Sequence, residues 1–257
     1  MPQDLKGKFL MGGDKTQDYF GRRRLYLMRH GHVDYFAPGL TDFRTVSLTE
    51  RGHEQAKAAA KALSGVHLDL VCTSGLPRTI QTAEHILELN DHSDHEVISI
   101  EAFEELRGGK VVVPTREELA ARLAFSFDLA TEKGASFLPD GELFAEAYDR
   151  VRAGLAELVS DHTWRSALLV GHDGVNRLIL GWACGAGLEG IKHFEQDLAC
   201  INVLDFDVAP DEQGKPEILR TIIKAINITA YDVVKSDLRR TSLEHLFDID
   251  FGGARPV

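Results

Sequence analysis

Met28-Arg29-His30-Gly31 brings a cation, an imidazole and a backbone-opening glycine together directly after the apolar run Leu25-Tyr26-Leu27. Two later segments repeat that grammar. Leu68-Asp69-Leu70-Val71-Cys72 runs into Thr73-Ser74-Gly75-Leu76-Pro77-Arg78, and Ala167-Leu168-Leu169-Val170 runs into Gly171-His172-Asp173-Gly174. Neutral imidazole is a good nucleophile and carries no charge to repel an anion. Arginine offers a planar fork of donors that matches phosphate oxygens two at a time. Arg29, His30, Arg78 and His172 together suit attack on a phosphomonoester, which needs its equatorial charge spread over cations and a neutral nucleophile in line. That chemistry requires no metal.

Such a set works only if the fold gathers three distant segments. Each apolar run reads as a short buried strand delivering an Arg or a His at the same end. Open α/β sheets build their sites beyond the carboxyl ends of the strands. Between them, alanine-rich Glu50 to Leu63 reads as a helix entered through Ser47-Leu48-Thr49. Pro77 opens a second helix running to about Leu89. Thr115-Arg116-Glu117-Glu118 has the shape of a capping box and opens a helix ending near Gly134. Residues 142 to 160 space Phe144, Ala147, Val151, Leu155 and Leu158 at helical intervals. Val97 to Ile100, Ala199 to Leu204 and Ile218 to Ile223 read as strands, the last two bracketing the turn-forming Pro210 to Pro216. Arg22-Arg23-Arg24 reads as a solvated charge run.

The expected fold is a three-layer α/β/α sandwich with a mostly parallel central sheet, in one domain over residues 1–257. That domain carries an N-terminal arm (1–22), a helical insertion near the site (about 106–164) and a C-terminal extension (about 228–257). Thr241-Ser242-Leu243-Glu244 caps one short helix in the extension.

Four blocks carry a family resemblance: Leu-Met-Arg-His-Gly at 27–31, Leu-Thr-Glu-Arg-Gly-His-Glu-Gln-Ala at 48–56, Thr-Ser-Gly-Leu-Pro-Arg-Thr-Ile-Gln-Thr-Ala-Glu at 73–84 and Val-Gly-His-Asp-Gly-Val at 170–175. In order and spacing the chain resembles the histidine phosphatase superfamily, also called phosphoglycerate mutase-like, over about residues 25 to 206. The resemblance implies that His30 is the nucleophile that becomes phosphohistidine. It also implies that Arg29, Arg78 and His172 hold the phosphoryl group, while Gly31 lets the backbone pass close to it. The leaving oxygen needs an acid, for which the family has Leu-x-Glu followed four residues later by Gly. Phe103-Glu104-Glu105-Leu106-Arg107-Gly108-Gly109 offers two registers, and Glu105, with Phe103 in the leucine position, fits better than Glu104.

The chain departs from the mutases after Gly31. Where they continue with Glu-Ser or Glu-Thr and then Asn, this chain has His32-Val33-Asp34-Tyr35-Phe36. Losing those polar contacts favours a phosphatase, with mutase-type transfer as the alternative. His32 either lines the substrate pocket or caps the loop, and Glu104 and Asp173 are further pocket candidates. Asp173 is also the next candidate for the acid. A rival reading takes His30-Gly31-His32-Val33-Asp34 as a metallohydrolase ligand string. Its resemblance to the metallo-β-lactamase motif is partial, since Tyr35 stands where a further His is expected, and it gives Arg29 and Arg78 no role. Asp91-His92-Ser93-Asp94-His95 reads as a polar loop. A catalytically silent binding module is the remaining rival, disfavoured because all four pocket residues are present.

A net charge of −11 opposes nucleic acid or an anionic membrane as a partner, because both demand a basic face. The expected partner is a small phosphorylated molecule, with no cofactor and no metal. Symmetric association makes a homodimer the default guess. Cys72, Cys184 and Cys200 stand in apolar contexts without tight spacing, which reads as core thiols in a reducing compartment. The first residues lack the apolar core of a signal peptide, and the expected location is the cytoplasm.

Overall fold

The structure is a computed structural model that describes residues 20–90, 97–109, 123 and 125–250. Strand β1 (Gly21–Arg29) lies inside a six-stranded sheet with β2 (Leu70–Thr73), β3 (Val97–Ser99), β4 (Ser166–Gly171), β5 (Ile201–Pro210) and β6 (Pro216–Ile228). The order is β3-β2-β4-β1-β5-β6. From β3 to β1 all neighbours run parallel, and β5 and β6 add an antiparallel margin.

The strands bury both faces, as parallel strands must. On one face Met28, Val71, Leu168 and Val170 meet α1 (Glu50–Leu63) and α2 (Pro77–Glu88) through Ala59, Ala60, Leu63, Ala83 and Ile86. On the other, Leu25, Leu27, Cys72 and Leu169 meet α3 (Phe144–Ser160) and α4 (Asp173–Ala183). The period-two alternation of β1 and β4 thus feeds two cores, and the sandwich has three layers. With two exceptions, the strands and helices expected from the sequence form wherever the chain is described, though β1, β5 and β6 run several residues past their expected spans.

The first exception is the helix expected to end near Gly134. Its start lies outside the described residues, and from Phe125 onward the chain forms a 3-10 turn (Ser126–Leu129) and not an α-helix. Phe127 drives this, turning inward to meet Phe137 and Phe144 at ring distances of 5.1 and 6.0 Å. The second is the arginine run, which is not solvated throughout. Strand alternation points Arg23 the same way as Leu25, so it is fully buried, with its guanidinium 5.3 Å from the Trp164 ring centre. It donates to the Val159 carbonyl at 2.9 Å. Arg22 and Arg24 lie opposite Asp207 and Asp205 of β5 and pair with them, each at 2.7 Å.

The segment containing α3 contributes Phe144, Val151, Leu155 and Leu158 to the core, so much of it is structural layer. The C-terminal extension forms α5 (Ser242–Phe247), opened by the expected capping box between Thr241 and Glu244. It packs back on the 195–198 turn: Tyr231 donates to the Leu198 carbonyl at 2.8 Å, and Lys235 meets Asp197 at 2.7 Å. Among the described residues no helix is long and apolar enough to cross a membrane. The Asp91–His95 segment lies outside the described residues.

Candidate active site

Three neighbouring parallel strands, β2, β4 and β1, end on the same edge, and the site forms there. The His30 backbone extends β1: its N–H donates to the Gly171 carbonyl at 3.1 Å, and its carbonyl accepts from Ala199 N at 3.1 Å. Ala199 holds φ of +53° to make that contact, a strained conformation for a residue with a Cβ. Gly31 N donates to Thr82 Oγ1 of α2 at 3.1 Å. The loop is therefore pinned from three sides, so His30 is held rigidly.

His30, Arg29, Arg78 and His172 are all at most 3% exposed. The His30 and His172 rings meet edge-on with centres 5.2 Å apart. The His30 Nδ1 donates to the Gly31 carbonyl at 2.7 Å, which fixes the tautomer and leaves Nε2 with its lone pair. Burial, then the charges of Arg78 and Arg29, hold this imidazole well below its ordinary pKa, so it is neutral. His172 is depressed in the same way by burial and Arg78. Its Nε2 lies 2.8 Å from Ser74 Oγ, just past the end of β2. When Ser74 donates there, the ring proton sits on Nδ1, a buried atom with no hydrogen-bond partner.

The arginines show the same open valence. Arg29 donates Nη1 to the Gln196 carbonyl and lies 3.8 Å from Asp173, while its buried Nε is unpartnered. Arg78, in the first turn of α2, donates Nη1 to the Phe43 carbonyl at 3.1 Å, faces the Tyr35 ring at 5.8 Å and also leaves Nε unpartnered. Buried donors are normally satisfied, and among the described residues Arg29, Arg78 and His172 each leave one unpartnered, capacity that an acceptor-rich group would fill. Grooves of about 490 and 360 Å³ open elsewhere on the molecule and hold none of these residues.

The two glutamates part company. Glu105 turns inward, accepting from Leu106 N at 2.9 Å and Gly174 N at 3.4 Å. Burial and the nearby Asp173 carboxylate push its carboxyl above the ordinary range. Glu104, itself buried, turns instead to Arg44 in a two-bond pair, both at 2.7 Å, which holds it below that range. Asp173 is engaged with Arg177 at 2.6 Å, and so buttresses Arg29 and does not face open space. His32 and His30 are turned to different partners. His32 binds Thr49 Oγ1 at 2.8 Å and its N–H meets Gln55 Oε1 at 2.9 Å, which ties the loop to the start of α1.

Ser74, Tyr35 and Gln196 were not among the residues singled out from the sequence. Ser74 lies within the 73–84 motif, so its hydroxyl was a readable signal. Gln196 acts through its main-chain carbonyl, and its side chain joins Asn202 at 2.8 Å, which leaves no motif.

A buried neutral imidazole among arginine forks at the ends of parallel strands defines an enzyme that handles phosphoryl groups. Residues 25–213 match the Histidine phosphatase superfamily (branch 1), and the chain belongs to that superfamily. The adenosylcobalamin/alpha-ribazole phosphatase of Escherichia coli (strain K12) is 30% identical over 188 residues, covering 72% of this chain and 90% of that protein. The 2,3-bisphosphoglycerate-dependent phosphoglycerate mutase of Bartonella tribocorum is 29% identical, covering 74% of this chain and 94% of its own. Among solved structures, a putative alpha-ribazole-5'-P phosphatase from Escherichia coli K-12 superposes with a TM-score of 0.61 at 26% identity, over 80% of this chain and 96% of that one.

Proposed function

We propose that this protein is a metal- and cofactor-independent phosphomonoesterase working through a phosphohistidine on His30. The observation that carries the reading is a buried, neutral His30 with Arg29, Arg78 and His172 beside it, each of the three holding an unpartnered donor. In the first step His30 Nε2 attacks phosphorus and the phosphorus–oxygen ester bond breaks. The arginines and His172 hold the equatorial oxygens, and Glu105 gives its proton to the departing alkoxide. In the second step Glu105, now a carboxylate, takes a proton from water, whose oxygen displaces His30 and releases phosphate. The raised pKa of Glu105 suits both roles.

Hydrolysis is favoured over mutase transfer because the loop after Gly31 offers buried Val33 and exposed Phe36 where a mutase has polar substrate contacts. The E. coli relative's name points the same way, and the mutase relatives keep transfer as the second reading. The substrate is a small phosphorylated molecule handled in the cytoplasm, without nucleic acid or membrane as partner, by a homodimer.

The test is turnover of a phosphorylated-metabolite panel with EDTA and with vanadate, alongside trapping of acid-labile phosphoenzyme. Chelator-resistant, vanadate-sensitive turnover with labelling lost in His30→Ala is expected. Chelator-sensitive turnover restored by zinc would overturn the scheme. Strong acceptance of a second substrate hydroxyl in place of water would promote the mutase reading.

A further inference from the structure

The phosphoryl site is closed. Its four principal side chains are at most 3% exposed, so little of them is open to a ligand as the site stands. Part of the cover is the loop from Asp34 to Thr45, which ends in a 3-10 turn (Phe43–Thr45) begun by Asp42 accepting from Arg44 N at 2.8 Å. Most of the loop faces solvent, but Tyr35 turns inward onto Arg78 and packs edge-on against Phe43 at 5.6 Å.

Among the described residues, two polar side-chain contacts tie the far end of this loop to the body of the protein. The first is the Phe43 carbonyl, which receives Arg78 Nη1 and so aims the guanidinium. The second, one residue along, is the fork of Arg44 on the Glu104 carboxylate. Glu104 is firmly seated. Its carbonyl accepts from Arg150 Nη1 at 3.0 Å, and Arg150 is itself locked to Glu142 at 2.6 Å. The residue after Glu104 is the candidate acid. The Arg44–Glu104 ion pair therefore joins the main chain that orients Arg78 to the main chain that carries Glu105.

We propose that Arg44 and Glu104 form a clasp that closes the 34–45 loop and sets Arg78 and Glu105 in register across the phosphoryl group. Both are positioning residues, acting through Arg78 and Glu105 without touching the substrate. Opening the clasp lets the ester in. Closing it restores the aim of the Arg78 fork and excludes water until the acid has worked. The paired glutamates thus divide the labour, one facing the phosphoryl site and one holding Arg44. The inference rests on the phosphatase reading for its kinetic consequences alone.

The experiment compares wild type with Arg44→Ala, Glu104→Ala, the double variant and Arg44→Lys. Both single variants should lose about ten- to a hundredfold in kcat/KM, since small misplacements of reacting groups carry losses of that order. Inhibition by inorganic phosphate should weaken in parallel while the thermal midpoint stays near wild type. The double variant should be no worse than either single one, because one contact is lost once. Arg44→Lys keeps the charge with a single bond and should recover part of the loss. Limited trypsinolysis after Arg44 should quicken in Glu104→Ala, a readout that needs no turnover.

Unchanged kcat, KM, phosphate inhibition and cleavage in Glu104→Ala would overturn the clasp, as would multiplicative losses in the double variant. A wild type inert toward every phosphoester would instead overturn the phosphatase reading. Phosphate binding and the cleavage rate would still decide the clasp.

Discussion

Gly52 stands two residues into α1 and has no side chain to take part in the chemistry, yet replacing it with alanine should damage catalysis. A Cβ at Gly52 would lie 2.2 Å from the His32 carbonyl oxygen and 2.9 Å from its nitrogen, both main-chain atoms with no rotamer to yield. The reciprocal position is as tight, with a Cβ at Gly31 only 2.5 Å from the Gly52 carbonyl oxygen. Ordinary contact begins at 3.4 Å, so helix and loop must part by about 1 Å. His32 is two residues from His30, and a displacement of that size at a reacting group lowers rate by up to about a hundredfold. Stability should change less. Forcing a methyl into a packed contact costs about 1–3 kcal/mol, and alanine regains about 1 kcal/mol of helix propensity over glycine. The net loss is then about 0–2 kcal/mol, or a fall of at most about 8 °C in thermal midpoint for a chain of this size. The assay is kcat on p-nitrophenyl phosphate beside a thermal melt, with Gly65→Ala as control, since a Cβ there meets nothing within 4 Å. Full kcat in Gly52→Ala, or equal losses in both variants, would refute the claim that this backbone contact sets the position of His30.

The acid assignment is open to a leaving-group test. Glu105→Gln should slow esters with poor alkoxide leaving groups far more than p-nitrophenyl phosphate, whose nitrophenolate departs without a proton; equal losses on both would move the acid elsewhere, with Asp173 next. The pH profile should follow the two perturbed groups. Because His30 is depressed below its ordinary 6.5, kcat/KM should hold as pH falls past 6.5, and it should decline as pH rises through the raised pKa of Glu105, a limb that Glu105→Gln should abolish. Stability obeys the same signs. His30 and His172 bind protons more weakly folded than unfolded, so their contribution is whole above about pH 6.5 and is lost as pH falls through their folded values. An acid limb lying above 6.5 in chelated, salt-matched buffers would contradict that account.

The parts of the site that lie next to each other in the chain were the readable ones. Arg29, His30 and Gly31 share one strand end, Arg78 follows the Pro77 that opens its helix, and His172 caps α4, so residue type and element boundary coincide. The register of Phe103 favoured Glu105 over Glu104, but the role of Glu104 was hidden because its partner, Arg44, lies sixty residues away. Arg23 misled because three consecutive arginines look hydrated, whereas β-strand alternation turns the middle one inward onto Trp164. The Phe43 and Gln196 carbonyls that aim the arginines are main-chain atoms, and their roles depend on where the chain turns. The cut-off of the expected helix at Phe125 is set by three phenyl rings meeting from separate segments, which local periodicity does not encode.

The place of β1 in the sheet has a consequence for biosynthesis. Strand β1, the first of the described strands, is flanked by β4 on one side and β5 on the other, and neither exists until most of the chain has been synthesised. As it leaves the ribosome, the segment bearing His30 has no neighbour to pair with, and His172 and the Gln196 carbonyl arrive last. Pairings so distant in sequence form slowly. The nascent protein therefore carries its reactive histidine exposed, ordinary in basicity and without its arginine frame. It becomes able to attack a phosphoester only when the sheet closes around the earliest strand.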